Sequence, residues 1–296
     1  MTKRGVPVFA GTVAVAALAF ALPGWIASRN RPALHSVQSF DQDLGRNPAA
    51  KKTGQADSPR PDPTKEEFYR REFQWTGADK KPKRAVFSLA KARVKNELNR
   101  FGVARGMEHS LLLQKKGFKR VGVSRGLEVY MVDYQKIFRD SLDYFSGLTR
   151  TLVAALEPPL AENDLIEFLF FVQSITYDKP PFYYNNKFIN SFFPPLICLY
   201  EQFGDCDSKS VLLAVFLTCR NQKEKTALAF INSQGMKHSI LLVKRTPNPG
   251  MSALFIKGSG YYIPLEASAP GWAPGFVNPR IWDALRTGNF RFSELQ

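Results

Sequence analysis

The chain has 296 residues, of which 44% are hydrophobic and 13% aromatic, enough for one core of about 200 residues with appendages. It carries 41 Lys and Arg against 26 Asp and Glu, a formal charge of +15; this favours polyanions such as anionic lipid headgroups, acidic wall polymers or nucleic acid without choosing among them. Cys198, Cys206 and Cys219 are too few and too odd in number for a disulfide framework, and with no CxxC pair or Cys/His ladder no metal or cofactor is expected.

The N-terminus reads Lys3-Arg4, an apolar run over 6–27 and then Arg29. Residues 13–22 fit the apolar stretch of a signal peptide, with Ala19-Phe20-Ala21 as a cleavage site, yet the 22-residue run also approaches the roughly 20 residues of a membrane-spanning helix. Residues 1–28 are therefore expected to be a signal peptide or an N-terminal membrane anchor, and either outcome places the remainder outside the cytoplasm, in the periplasm or cell envelope. Residues 29–82 are rich in Pro, Asp, Lys, Gln and Gly and read as a disordered tether. Phe68, Tyr69, Phe73 and Trp75 within it are either a short docking segment or part of that disorder.

Residues 83–160 read as a basic α/β extension. Between Asp79 and Arg125 the chain has 14 basic residues and three acidic ones, so residues 80–125 offer a contact for a polyanion or anionic lipid, or simply a solvated face. The spacing of Val86, Leu89, Ala90, Val94, Leu98 and Phe101 predicts a helix over 86–101. A strand is expected over 126–132, helices over 133–156 and 163–176, and a loop rich in Pro and aromatics over 177–195. A helix over 206–220 and strands over 226–232, 238–244 and 254–264 complete the chain.

The chemistry centres on Gly204-Asp205-Cys206-Asp207-Ser208-Lys209-Ser210, followed at once by an apolar run that predicts a central, buried helix. Gly204 is expected to permit an unusual backbone turn and Asp205 to cap the helix. Cys206 then lies in the first turn, where the positive end of the helix dipole favours a thiolate. A thiol nucleophile needs a base. Of the three histidines, His35 falls in the tether and His109 in the basic region, whereas His238 opens the apolar strand His238-Ser239-Ile240-Leu241-Leu242-Val243. The imidazole in turn needs an acceptor, and Glu266 ends the run Tyr261-Tyr262-Ile263-Pro264-Leu265.

These segments, in the order Cys, His, acid with gaps of 32 and 28 residues and with Gly271-Trp272-Ala273-Pro274-Gly275 downstream, resemble the bacterial transglutaminase-like superfamily over about residues 165–280. The resemblance implies an α+β fold of papain/transglutaminase type for residues 161–296, with the cysteine helix central and its N-terminus packed on an antiparallel sheet. It implies a catalytic Cys206, His238 and Glu266, with Glu266 where much of the family has Asp, and acyl transfer through a thioester. The Phe171-Val172-Gln173-Ser174-Ile175-Thr176-Tyr177 stretch resembles the segment before the family's cysteine, which makes Gln173 an oxyanion donor or else a helix-surface glutamine. The implied substrate is a peptide or protein, cell-wall peptide included; no nucleic acid is expected, because the chain is exported and lacks interleaved aromatic and basic residues. The alternative is a non-catalytic module of the same fold anchored in the envelope. Gly122-Val123-Ser124-Arg125-Gly126 matches the serine-hydrolase elbow, but strand-like alternation follows it where a helix is required, so a hairpin turn is expected.

Overall fold

A computed structural model of the chain describes residues 26–27, 66–124, 127–156, 164–221, 223–233 and 235–296. Residues 1–25 and most of the expected tether lie outside these, so the leader and anchor readings fall there; among the described residues no helix is long and apolar enough to cross a membrane.

The fold is α+β. After the two-residue strand Ile26–Ala27, which lies within the expected leader and pairs antiparallel with Val129 and Tyr130, come two long strands, β1 (Phe68–Thr76) and β2 (Pro82–Ala90), paired as an antiparallel hairpin. Here two sequence expectations fail. The tether does not reach residue 82, because Phe73 and Trp75 alternate inward on β1 and pack edge-on against Phe171. The helix expected over 86–101 is a strand to Ala90 and a helix, α1 (Lys91–Arg100), only beyond it. The period-two burial of Ala85, Phe87 and Leu89 outweighed a helical spacing that shared the same apolar residues.

Next come α2 (Ser110–Lys115) and the antiparallel pair β3 (Phe118–Ser124) and β4 (Leu127–Val132), with Gly122, Val123 and Ser124 of the apparent serine-hydrolase elbow inside β3. The long helix α3 (Tyr134–Ala155) starts at Asp133, whose carboxylate accepts the Lys136 N–H at 3.2 Å. Helices α4 (Asp164–Ser174), α5 (Pro195–Glu201) and α6 (Cys206–Arg220) follow. Of the basic residues between 80 and 125, Lys83, Arg84, Lys91, Arg100 and Arg120 engage Asp79, Glu72, Glu67, Asp140 and Glu128.

The C-terminal half is a five-stranded antiparallel sheet of β5 (Lys225–Ser233), β6 (Met236–Lys244), β7 (Leu254–Ile256), β8 (Gly260–Leu265) and β9 (Phe290–Glu294), in the order β7-β8-β6-β5-β9. The single strand expected over 254–264 is thus a hairpin, turned at Gly258, whose φ of 81° suits glycine. On one face Leu228, Leu241, Val243, Ile263 and Leu265 join the main core; on the other Ala229, Ile240, Leu242 and Tyr262 pack with Ile281 and Leu285 of α7 (Pro279–Arg286). Side chains alternate across a strand, so a continuous apolar run such as Ile240-Leu241-Leu242-Val243 demands cover on both faces.

Helix α6 is the centre of the main core. Every side chain from Ser208 to Thr218 is buried, and Phe216 meets the rings of Phe87, Phe145, Phe168 and Phe171 at centroid separations of 5.2–6.4 Å. One core therefore draws on β1, β2, α3, α4 and α6 alike. The division expected between residues 160 and 161 separates no packing unit.

Candidate active site

The start of α6 is fixed by its cap. Asp205 Oδ1 accepts the Ser208 N–H at 3.1 Å and the Ser208 hydroxyl at 2.7 Å, satisfying one of the unpaired amides of the first turn. Ser208 Oγ in turn accepts the Phe193 N–H at 3.0 Å, which joins the preceding loop to the cap. Gly204 serves a purpose other than the expected one. Its φ lies outside the left-handed region, and a Cβ built there would stand 2.8 Å from Cys198 Sγ and 3.0 Å from Ser208 Cβ. Close packing, not backbone freedom, requires glycine. Gly204→Ala is accordingly expected to lose about 1–3 kcal/mol by overpacking, measured by urea unfolding; an unchanged midpoint would show that the Cys198 side has room.

Cys206 is partly exposed, and it lines a cavity of about 300 Å³ together with His238, Ser239, Asp205, Asp207 and Tyr134. Strand β6 carries His238, paired in register with Ile231 of β5. Strand β8, the other neighbour of β6, ends at Leu265 opposite Leu241, which delivers Glu266 to the histidine. Glu266 Oε2 lies 2.7 Å from His238 Nε2, and Glu266 Oε1 accepts the Ser268 N–H at 2.9 Å and the Ser268 hydroxyl. Burial by itself raises the Glu266 pKa, but the His238 bond and charge and the Ser268 contacts outweigh it, and the net shift is downward. The pair thus stabilises the fold above the ordinary carboxylate range and loses that stability as pH falls through the lowered value. With Nε2 committed to Glu266, Nδ1 is the ring nitrogen left to exchange a proton with the thiol.

The sulfur itself departs from expectation. Burial, followed by the charges of Asp207 and Asp205, pushes the Cys206 thiol well up, against a smaller downward pull from the Ser239 N–H. Burial and the two carboxylates thus act against the helix terminus, and the shift runs opposite to the lowering expected from a place in the first turn. Cys206 Sγ donates to Asp207 Oδ1 at 3.4 Å, and among the described residues no hydrogen bond joins it to His238. Asp207 Oδ2 accepts the buried Tyr134 hydroxyl. The first turn of α6 is thereby tied to the first turn of α3, a contact across 73 residues that no local sequence pattern announces.

Gln173 is not an oxyanion donor. It is buried; its Nε2 donates to the Glu266 and Trp272 carbonyls, both at 2.8 Å, while its Oε1 accepts the Gly271 N–H at 3.2 Å. Both amide hydrogens are committed to holding the loop that follows Glu266. Lys209 performs a similar task from α6. Completely buried, it donates from Nζ to the carbonyls of Ile175 (2.6 Å), Gln173 (3.3 Å) and Ser268 (3.3 Å). A lysine in an otherwise apolar helix was a signal available in the sequence, since a buried ammonium must find acceptors. Cys198 is fully buried, its thiol pushed up to about 12 by desolvation. His109 is exposed, away from this cavity.

Among the described residues no group of His, Cys, Asp and Glu could hold a metal ion. No protein-family model matches the chain, and no curated protein matches it. Among solved structures, the chain is similar to Legionella pneumophila LapG at 15% identity, over 45% of this chain and 72% of that one, with a TM-score of 0.28.

Proposed function

We infer that the chain is an exported thiol enzyme of transglutaminase-like type, which cleaves or transfers acyl groups from amide bonds through Cys206, His238 and Glu266. The observation carrying this reading is the 2.7 Å contact of His238 with Glu266 beside the cavity that Cys206 shares with His238. A buried carboxylate oriented by its own hydrogen bonds fixes the imidazole tautomer and stabilises its protonated form. In the reaction Cys206 Sγ gives its proton to His238 Nδ1 as the S–C bond forms. His238 passes that proton to the leaving nitrogen as the C–N bond breaks, and water resolves the thioester to a carboxylic acid and the free thiol. The N–H of Cys206, at the start of α6, is assigned to the developing oxyanion. Export is supported by Lys3-Arg4 and the apolar run behind it.

A peptidyl acyloxymethyl ketone tests the reading, since it alkylates a thiol only after a catalytic thiol–imidazole pair has engaged its carbonyl. Mass spectrometry is expected to find the adduct at Cys206 and not at Cys198 or Cys219, with labelling at least 10²-fold slower in His238→Ala. The raised thiol pKa and the absence, among the described residues, of a Cys206–His238 bond favour one rival, an interaction module of the same fold with idle residues; labelling of Cys206 no faster than that of the partly exposed Cys219, and unaltered in His238→Ala, would establish it.

A further inference from the structure

The walls of the Cys206 cavity differ in charge from its floor. The floor holds Asp205 and Asp207, and both carboxylates are engaged: Asp205 by Ser208, Asp207 by Tyr134 and the thiol. The remaining charged groups lining the cavity, apart from His238, are Lys119, Lys179, Lys237 and Arg291. They arrive from four separate places, namely β3, the segment after α4, β6 and β9, so no single basic sequence run explains their convergence. Lys119 and Lys179 enter no ion pair among the described residues, and Lys179 lies over the exposed Phe182 ring at 5.6 Å. Asn190 and Ser191 add polar, uncharged side chains, and Met131, Val132, Phe230, Ile231 and Phe292 supply an apolar part of the lining. A substrate segment of positive charge would meet four cations here, whereas a carboxylate would find several within reach of one cavity.

We propose that this cavity selects acidic peptide segments, binding Asp or Glu side chains beside the scissile amide through the ring of Lys119, Lys179, Lys237 and Arg291. The proposal rests on the thiol-enzyme reading for its scissile bond but not for its binding step. Charge complementarity of this kind acts on encounter and on orientation, and it weakens as salt screens it. It confines the peptide to lie across the mouth between β6, β9 and the Lys179 segment, with its carbonyl over the start of α6.

The test measures binding and is independent of turnover. Fluorescein-labelled decapeptides of Gly-Ala background with four Glu, four Gln or four Lys are titrated against the full chain by fluorescence polarisation, with iodoacetamide labelling of Cys206 followed in parallel. The Glu peptide is expected to bind at least about 10-fold more tightly than the Gln peptide at low salt and to protect Cys206; the preference shrinks towards 1 M salt. Lys119→Gln/Lys179→Gln weakens Glu-peptide binding by about 5-fold, whereas Lys223→Gln/Lys257→Gln, which removes equal charge elsewhere on the surface, leaves it unchanged. All four lysines are at least partly exposed, so folding is preserved. Equal binding of Glu and Gln peptides, equal weakening in the two double variants, or Glu-peptide binding without protection of Cys206 would each overturn the proposal. Failure of the acyloxymethyl ketone to label Cys206 would overturn the enzyme reading alone.

Discussion

Cys206→Ala is expected to abolish turnover of a peptide amide, and Glu266→Gln to lower it by about 10⁴-fold, the scale seen when an imidazole loses the carboxylate that orients it. The glutamine keeps an acceptor for His238 Nε2 but not the negative charge that stabilises the imidazolium. It also turns one face of the side chain into a donor, which conflicts with the Ser268 N–H and hydroxyl that now point at Glu266 Oε1. Comparing an amide with the p-nitrophenyl ester of the same acyl group separates the histidine's two roles. The ester leaves without protonation, so His238→Ala should cost the amide at least ten times more than the ester. Amide turnover that survives in Cys206→Ala would remove the sulfur from the mechanism.

Lys209→Met should destabilise the protein by about 2–4 kcal/mol, because the buried carbonyls of Gln173 and Ile175 and the partly buried one of Ser268 lose their donor. Urea unfolding at constant m-value measures the effect. Its pH dependence has a definite sign. Burial lowers the Lys209 pKa to about 8 from an ordinary 10.5, the attraction of Cys198 and Glu266 restoring only part of the shift. Between those values the unfolded chain holds a proton that the folded chain has given up, so stability rises with pH across the window and is lost as pH falls through about 8. The wild-type advantage over Lys209→Met is therefore expected to grow from pH 8 to pH 10.5. A variant as stable as wild type, with unaltered turnover, would show that the carbonyl contacts anchor nothing.

The helix 206–220 was legible residue for residue because an acidic cap, an all-round apolar run and a terminal arginine lie next to one another in the chain. His238 and Glu266 were legible as candidates because each interrupts or ends an apolar strand, where a polar group needs a partner. What the sequence concealed was non-local. Asp207 and Tyr134 meet across 73 residues, and the burial of Cys206, with the charges of Asp207 and Asp205 beside it, pushes the thiol up where its place in the helix pointed down. Gln173 was visible as a residue before the cysteine but not as a brace, since its partners are main-chain atoms near residues 266, 271 and 272. In 68–90 the tether composition and the helical spacing both failed because pairing with a neighbouring strand decides which periodicity is used.

The loop after Glu266 is gripped almost entirely by its backbone: Gln173 and Lys209 reach the carbonyls of residues 266, 268 and 272 and the amide of residue 271. Such a grip is blind to what the loop displays. Pro270 is exposed and Ala269 and Trp272 are partly exposed, so a phage library randomised at those three codons should return folded, labelled protein with no strong consensus. The acid's post is held from behind, which leaves the outward face of this turn open to divergence among descendants of the same scaffold.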